Sequence, residues 1–126
     1  MGNMKKEAIC ITTCPGGSNV SMISYKVAAA LDKEGYCTFV RVAGEKARDK
    51  DTARLNEADK AAQKWILLEG CNKGCGLEAL KIAGITPEEH ILVTDLGIQR
   101  ENKTDFTPEE LATVLEAVKK TISPEK

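Results

Sequence analysis

The feature that most constrains this chain is the alternation of short apolar runs with longer runs of helical periodicity. The predicted strands cover residues 8–13, 38–43, 65–68 and 91–94, and the predicted helices cover about 19–34, 52–64, 72–83 and a last segment that begins at 107. Strands that alternate with helices favour a parallel sheet with right-handed crossovers. We therefore predict one α/β domain over residues 1–126, a three-layer Rossmann-like fold with a four-stranded, mainly parallel sheet and helices on both faces.

The last helix has a complete start signal. Thr107 is a capping residue, Pro108 takes the first helical position, and Glu110 completes a capping box. Apolar residues then recur at helical spacing, at Leu111, Val114, Leu115, Val118 and Ile122. These signals predict a helix that starts here and continues through residue 122.

Charge and composition argue against nucleic-acid and membrane partners. The formal net charge is −1, which gives no electrostatic reason to expect a polyanion as a partner, and aromatic residues make up only 4% of the chain. No apolar run approaches the roughly 20 residues that span a bilayer. The apolar stretch at residues 8–11 is too short for the core of a signal peptide. We therefore expect a cytoplasmic protein.

Five cysteines in such a chain need an explanation. Their number is odd and the cytosol is reducing, so a disulfide framework is a poor interpretation. Metal binding or thiol chemistry is the better class of explanation, although buried cysteines also serve as small apolar residues. We favour that simpler role for Cys10, which lies inside the first predicted strand.

The predicted topology sorts the other candidate residues by sheet edge. In open parallel sheets, ligands bind outside the carboxyl ends of the strands. Cys14 follows the first strand at that edge, Cys71 and Cys75 follow the third, and Asp95 follows the fourth. We therefore expect these four residues to contribute to one metal site.

Two further residues are predicted to lie away from this site. Cys37 and His90 precede the second and fourth predicted strands, which places them at the opposite edge of the sheet. A strand of four or five residues spans on the order of 15 Å. We expect neither residue to join the site, and we interpret His90 as a solvated turn residue.

The spacing of Cys71 and Cys75 suits a metal. Residues four apart share one helix face with Cβ atoms roughly 6 Å apart, and two thiolates there can reach one tetrahedral ion at about 2.3 Å each. A helix N-terminus also favours the thiolate form. Gly70, Gly74 and Gly76 leave room for close approach.

The segment after the first strand suggests a second type of contact. Gly16 and Gly17 free the backbone to turn, and Ser18 or Asn19 can cap the first helix. Such a loop can direct N–H groups at an anion or a thiolate, so these four residues are candidates for binding an anionic group. The Gly-Lys-Ser/Thr ending of a P-loop is missing, and no arginine follows Cys14 as in a phosphatase loop.

The joint pattern of these segments resembles the DGC-domain family, to which zinc binding is assigned from the cysteine pattern. The resemblance covers about residues 8–115. It rests on Cys14-x-Gly16-x-Ser18-Asn19, Glu69-Gly70-Cys71-x3-Cys75, Ala83-Gly84-Ile85 and Val93-Thr94-Asp95-Leu96-Gly97-Ile98. The family is named for Asp-Gly-Cys, and this chain has Glu69 in place of the aspartate. Arg41 stands where the family tends to have a cysteine.

Three functions remain open at this point. The first is a zinc-binding or other metal-binding module, in which Cys14, Cys71 and Cys75 are joined by Asp95, Glu69 or water as a fourth ligand. The second is a thiol redox or thiol-transfer enzyme, with Cys14 as the nucleophile and Cys71 or Cys75 as the resolving thiol. The third is a domain that binds a small anion, with incidental cysteines.

Overall fold

A computed structural model describes residues 8–14, 18–70 and 75–122. The strands are β1 (Ile9–Thr13), β2 (Thr38–Phe39), β3 (Lys64–Glu69) and β4 (Glu89–Leu92), and the α-helices are α1 (Asn19–Lys33), α2 (Arg48–Asp59), α3 (Cys75–Ala83) and α4 (Pro108–Ile122). Short 3₁₀ helices cover Glu45–Ala47 and Val93–Leu96. The four strands form one sheet in the order β2-β1-β3-β4, and every pair is parallel. The predicted α/β architecture is therefore confirmed.

The central pair of strands sets the position of the candidate site. β1 and β3 pair in register from Ile9 opposite Lys64 to Thr13 opposite Leu68. Because the strands are parallel and in register, they end at the same level, and the residues that follow them meet at one edge of the sheet. Cys14 follows β1, and Gly70 follows β3.

Both faces of the sheet are covered. On one face, Ile66 and Leu68 of β3 belong to an apolar cluster that includes residues of α1 and α4. On the other face, Trp65 and Leu67 belong to a second cluster with residues of α2 and α3. Alternate side chains of one strand thus enter different cores, which explains why this strand is continuously apolar in sequence. No helix among the described residues is long and apolar enough to cross a membrane.

The ends of two helices follow their sequence signals. At the start of α4, the Glu110 N–H donates to the Thr107 hydroxyl at 3.1 Å, and the Thr107 N–H donates to the Glu110 carboxylate at 3.0 Å. The predicted capping box is therefore present. At the start of α1, Ser18 is the N-cap, and its hydroxyl accepts from the Ser21 N–H at 3.3 Å.

The edge strands differ from the sequence prediction. β2 has two residues instead of six. Val40 still bonds to β1, through its N–H to the Ile11 carbonyl oxygen at 2.9 Å and through its carbonyl oxygen, which accepts from the Thr12 hydroxyl at 2.7 Å. Beyond it, the N–H groups of Ala43 and Gly44 are bound by Asp51 of α2 instead of by a strand.

β4 begins at Glu89, two residues earlier than predicted. Trp65 exchanges hydrogen bonds with Glu88 just before β4, through the Trp65 N–H and Glu88 Oε1 at 2.7 Å and the Glu88 N–H and Trp65 O at 3.0 Å. This contact starts the strand pairing early.

Helix α2 also differs, covering Arg48–Asp59 instead of 52–64. Its buried residues are Asp51 and Leu55, so the helix is held by one buried carboxylate and one apolar side chain.

We predict that Gly70→Ala destabilises the protein by about 1–3 kcal/mol, because overpacking at a rigid contact forces the backbone to shift. A Cβ added at Gly70 would lie 2.9 Å from the Ser21 nitrogen and 2.9 Å from the Val20 carbonyl carbon, both backbone atoms of α1. Urea unfolding measures the loss.

Gly76→Ala is the matched control. A Cβ there would meet the Leu67 Cδ1 atom at 2.8 Å and the Glu69 Oε2 atom at 3.1 Å, both of which are side-chain atoms that can shift without moving the backbone. We expect a smaller loss for this variant. Equal losses for the two variants would contradict the importance of the close approach between β3 and α1.

Candidate functional site

Cys14 lies directly after β1, and polar groups from two elements converge on its sulfur. The Gly70 N–H donates to Sγ at 3.2 Å, and the Ser21 hydroxyl lies 3.4 Å from Sγ. The Ser24 hydroxyl is 3.9 Å away, but its hydrogen is directed to the Ser21 carbonyl oxygen at 2.8 Å. The sulfur is only partly buried. Cys14 therefore contacts hydrogen-bonding groups and is still partly exposed to solvent.

Hydrogen bonds between serines determine which atom is the donor in the contact between Ser21 and Cys14. The Ser18 hydroxyl donates to Ser21 Oγ at 3.2 Å. Ser21 Oγ thus accepts from Ser18 and has its own hydrogen left for Cys14 Sγ. A deprotonated sulfur can only accept, so a thiolate or a metal-bound thiolate at Cys14 receives hydrogen bonds from Ser21 and from the Gly70 backbone.

Sequence reasoning missed Ser21 and Ser24. The signal was available, because Ser18, Ser21 and Ser24 recur every third residue at the start of the predicted first helix and so share one helix face. In the structure all three are buried. Polar residues that recur on the buried side of a helix need partners. Here the partners are the helix backbone and the sulfur of Cys14.

A cavity of about 500 Å³ opens beside the sulfur. Its described lining residues are Thr13, Cys14, Ser21, Met22, Tyr25, Arg41, Val42 and Ala43. The Arg41 guanidinium carbon lies 4.9 Å from the centre of the Tyr25 ring, in a cation–π contact. Arg41 therefore lines the same cavity as Cys14, although the predicted second strand includes it.

The segment that carries Arg41 is fixed by helix α2. The completely buried Asp51 carboxylate accepts from the Ala43 N–H at 2.9 Å and from the Gly44 N–H at 3.0 Å. Arg54 Nη1 donates to both Asp51 Oδ1, at 3.1 Å, and the Arg41 carbonyl oxygen, at 2.9 Å. These contacts hold one wall of the cavity, and no sequence pattern predicts them.

Glu69 takes a structural position next to the site. Its side chain is 1% exposed, and Oε2 accepts from the N–H groups of Gly76 at 2.6 Å and Leu77 at 3.2 Å. Oε1 lies 2.8 Å from His90 Nε2. Glu69 thus satisfies the first turn of α3, whose first residue is Cys75.

This contact corrects our interpretation of His90. His90 is exposed to solvent as predicted, but its assignment to a turn is wrong, because it belongs to β4 and its ring contacts a buried carboxylate. The cause is the early start of β4, which brings His90 opposite Leu67 and within reach of Glu69.

Asn19 connects two segments at the same edge of the sheet. Its Nδ2 donates to the Gln99 carbonyl oxygen at 2.9 Å, and its Oδ1 accepts from the Glu101 N–H at 2.7 Å. The side chain is 2% exposed. Asn19 therefore ties the segment after β4 to the start of α1, while Ser18 caps that helix.

Several predicted site residues lie outside the described part of the chain. These are Cys71, Gly16, Gly17 and the side chain of Cys75. Within the residues that are described, no group of three or more histidine, cysteine, aspartate or glutamate side chains is placed to hold a metal ion. Asp95 is exposed in the 3₁₀ turn Val93–Leu96, after β4 as predicted.

The other described cysteines lie in the two cores. Cys10 is 1% exposed and belongs to the cluster with α2 and α3, and Cys37 is 0% exposed in the cluster with α1 and α4. Burial, with a smaller contribution from Asp59, raises the pKa of the Cys10 thiol to about 11. The prediction that Cys10 has a core role is confirmed.

Comparison with known proteins identifies one family. A family model described as the DGC domain matches residues 10–118. No curated protein and no solved structure shows a significant match to the chain.

We predict that Glu69→Ala destabilises the protein by about 1.5–3 kcal/mol, because it leaves buried N–H groups of α3 without a charged acceptor. Glu69→Asp is expected to lose much of the same stability, since a side chain one methylene shorter does not reach both α3 and His90. Urea unfolding measures both changes.

Glu78→Ala is the control, because it removes the same charge from an exposed position on α3. Its effect should stay within about 1 kcal/mol, because Glu78 lies in the first turn of α3 and contributes only through the helix dipole. If Glu69→Ala costs no more than Glu78→Ala, Glu69 does not anchor the helix.

Proposed function

The chain belongs to the DGC-domain family, and we propose that it binds a thiophilic metal ion, zinc in the first place, through the thiolates of Cys14, Cys71 and Cys75. The observation that carries the proposal is the contact between Cys14 Sγ and the Gly70 N–H at 3.2 Å. Gly70 directly precedes Cys71 in the sequence. Cys14 therefore contacts the residue from which the segment that carries Cys71 and Cys75 begins.

The chemistry around Cys14 fits a metal-bound thiolate. Metal ligands commonly accept or donate hydrogen bonds that orient them, and the sulfur of Cys14 has such partners in Gly70 and Ser21. Cys75 is the first residue of α3, where the helix dipole favours negative charge. Glu69 holds the first turn of that helix in place.

Charge also favours this arrangement. Three thiolates around a divalent ion leave a net charge of −1 by their formal charges, and Arg41 supplies a positive charge at the same cavity as Cys14. Zinc in a closed four-ligand site would stabilise the fold, and zinc with an open position would act as a Lewis acid. The chain's own residues hold and orient the thiolates in either case.

Asp95 is our proposed fourth ligand, with water as the alternative. Asp95 is exposed and follows β4 at the carboxyl edge of the sheet. Glu69 is a weaker choice of fourth ligand than Asp95, because its two oxygens already contact α3 and His90.

A thiol-transfer enzyme is the second candidate function. The partly exposed Cys14 sulfur opens onto a cavity and has donors that stabilise negative charge on it, as a nucleophilic thiolate requires. In such a reaction the Cys14 thiolate attacks a disulfide, a mixed disulfide forms, and the leaving sulfur departs as a thiolate. Cys71 or Cys75 would then resolve the mixed disulfide.

We predict close to one zinc equivalent in protein purified without chelator, measured by elemental mass spectrometry. Cys14→Ser, Cys71→Ser and Cys75→Ser should each lose most of the metal, because three sulfur ligands share one ion. Cys10→Ala and Cys37→Ala should keep it, since both side chains are buried in the cores.

Cobalt substitution adds a spectroscopic check. Thiolate-to-cobalt charge-transfer absorption should fall in each of the three serine variants and stay unchanged in the two alanine controls. A metal-free protein with a disulfide at Cys14 would instead favour thiol transfer.

We predict that Asp95→Asn weakens zinc affinity by about 10-fold or more if the carboxylate binds or orients the metal. Asp105→Asn is the control, because Asp105 is an exposed aspartate outside the candidate site. Competition with a chromogenic chelator measures the affinities. Unchanged affinity in folded Asp95→Asn would assign the fourth position to water.

A further inference from the structure

The cavity beside Cys14 is much larger than a metal ion needs. Its volume of about 500 Å³ falls in the range of small-molecule sites, and one water in the liquid accounts for only about 30 Å³. It therefore has room for a small organic molecule next to the sulfur.

The described lining of the cavity carries a positive side chain, that of Arg41. Among the described residues that line it, Arg41 is the only ionised side chain, and no carboxylate is present. No described carboxylate forms an ion pair with Arg41. A guanidinium without a paired acid, set in a concave surface, attracts an anion and matches the two oxygens of a carboxylate.

Arg41 is also held before any ligand binds. Its guanidinium lies over the Tyr25 ring, and its carbonyl oxygen accepts from Arg54, which is itself bound to the buried Asp51. Fixing a side chain in advance reduces the ordering cost of binding.

The rest of the lining favours an organic anion over a bare inorganic one. Met22, Tyr25, Val42 and Ala43 add apolar surface to the lining that Arg41 and Cys14 share. Such surface contributes to binding only when the ligand has carbon atoms to cover it.

We propose that this cavity is a binding site for a small organic carboxylate, whose carboxylate contacts Arg41 and whose other end faces the sulfur of Cys14. This site would select which small molecules reach the sulfur of Cys14. If Cys14 holds a metal ion, the site would also select which molecules reach that ion. The proposal stands whether or not a metal binds, because it depends only on the cavity, Arg41 and Cys14.

Paired alkylating agents test the proposal on the full chain after removal of metal with a chelator. Iodoacetate carries a carboxylate and iodoacetamide is neutral, and with both reagents the Cys14 thiolate forms a C–S bond while iodide leaves. The ratio of the two rates at Cys14, located by tandem mass spectrometry, cancels the intrinsic reactivity of the sulfur. The ratio therefore measures only how strongly the surroundings of Cys14 favour the negatively charged reagent over the neutral one.

We expect this ratio to fall by about two- to fivefold in Arg41→Gln, because Arg41 is exposed and an exposed ion pair gives an effect of this size. Arg100→Gln is the matched control, because Arg100 is exposed and does not line the cavity. It should leave the ratio unchanged. Cys10 should remain unlabelled, since its thiol is buried and its pKa is raised to about 11.

A second measurement needs no variant. Malonate should slow iodoacetamide labelling of Cys14 in the wild-type chain, whereas neutral malonamide at the same concentration and ionic strength should not. Equal ratios in wild type and folded Arg41→Gln, or no difference between malonate and malonamide, would overturn the proposal. Metal content, measured separately, would still decide the metal-binding function.

Discussion

The parallel pairing of β1 with β3 is the constraint on which the candidate site depends. Five residue pairs keep the two strands in register, so both strands end at the same level. The residue after β1 is Cys14, and its sulfur accepts the N–H of Gly70, the residue after β3. Gly70 in turn lies against the backbone of α1, where any larger residue would collide with Val20 and Ser21. One strand pair and one helix contact thus set the surroundings of the sulfur.

Buried polar side chains organise the rest of this sheet edge. Asp51 holds the segment after β2, Glu69 holds the first turn of α3, and Asn19 holds the segment after β4. Each accepts hydrogen bonds from backbone N–H groups that no strand or helix satisfies, which is the usual requirement for polar groups in a protein interior. The described part of this edge is therefore held by internal contacts, and Asp51 holds the segment that brings Arg41 to the same cavity as Cys14.

The accuracy of the sequence prediction varied with the source of the signal. The capping box at Thr107 and the helical periodicity after it are local, and α4 begins as predicted. The ends of β2 and β4 were missed, because edge strands stop where side chains from other elements replace the strand partner. His90 was misassigned for the same reason, since its place in β4 follows from a contact between Trp65 and Glu88 that sequence spacing does not reveal.

The sequence alone determined the α/β order and put Cys14 and Asp95 after strands at the carboxyl edge, because strand and helix periodicities and the handedness of crossovers are local properties of the chain. Only the tertiary structure decided which polar groups meet there. It turned Glu69 towards α3 and His90, brought Ser21 to the sulfur of Cys14, and set Arg41 over Tyr25. These contacts join residues from different elements, and their geometry depends on how the helices pack on the sheet, which no single stretch of sequence encodes.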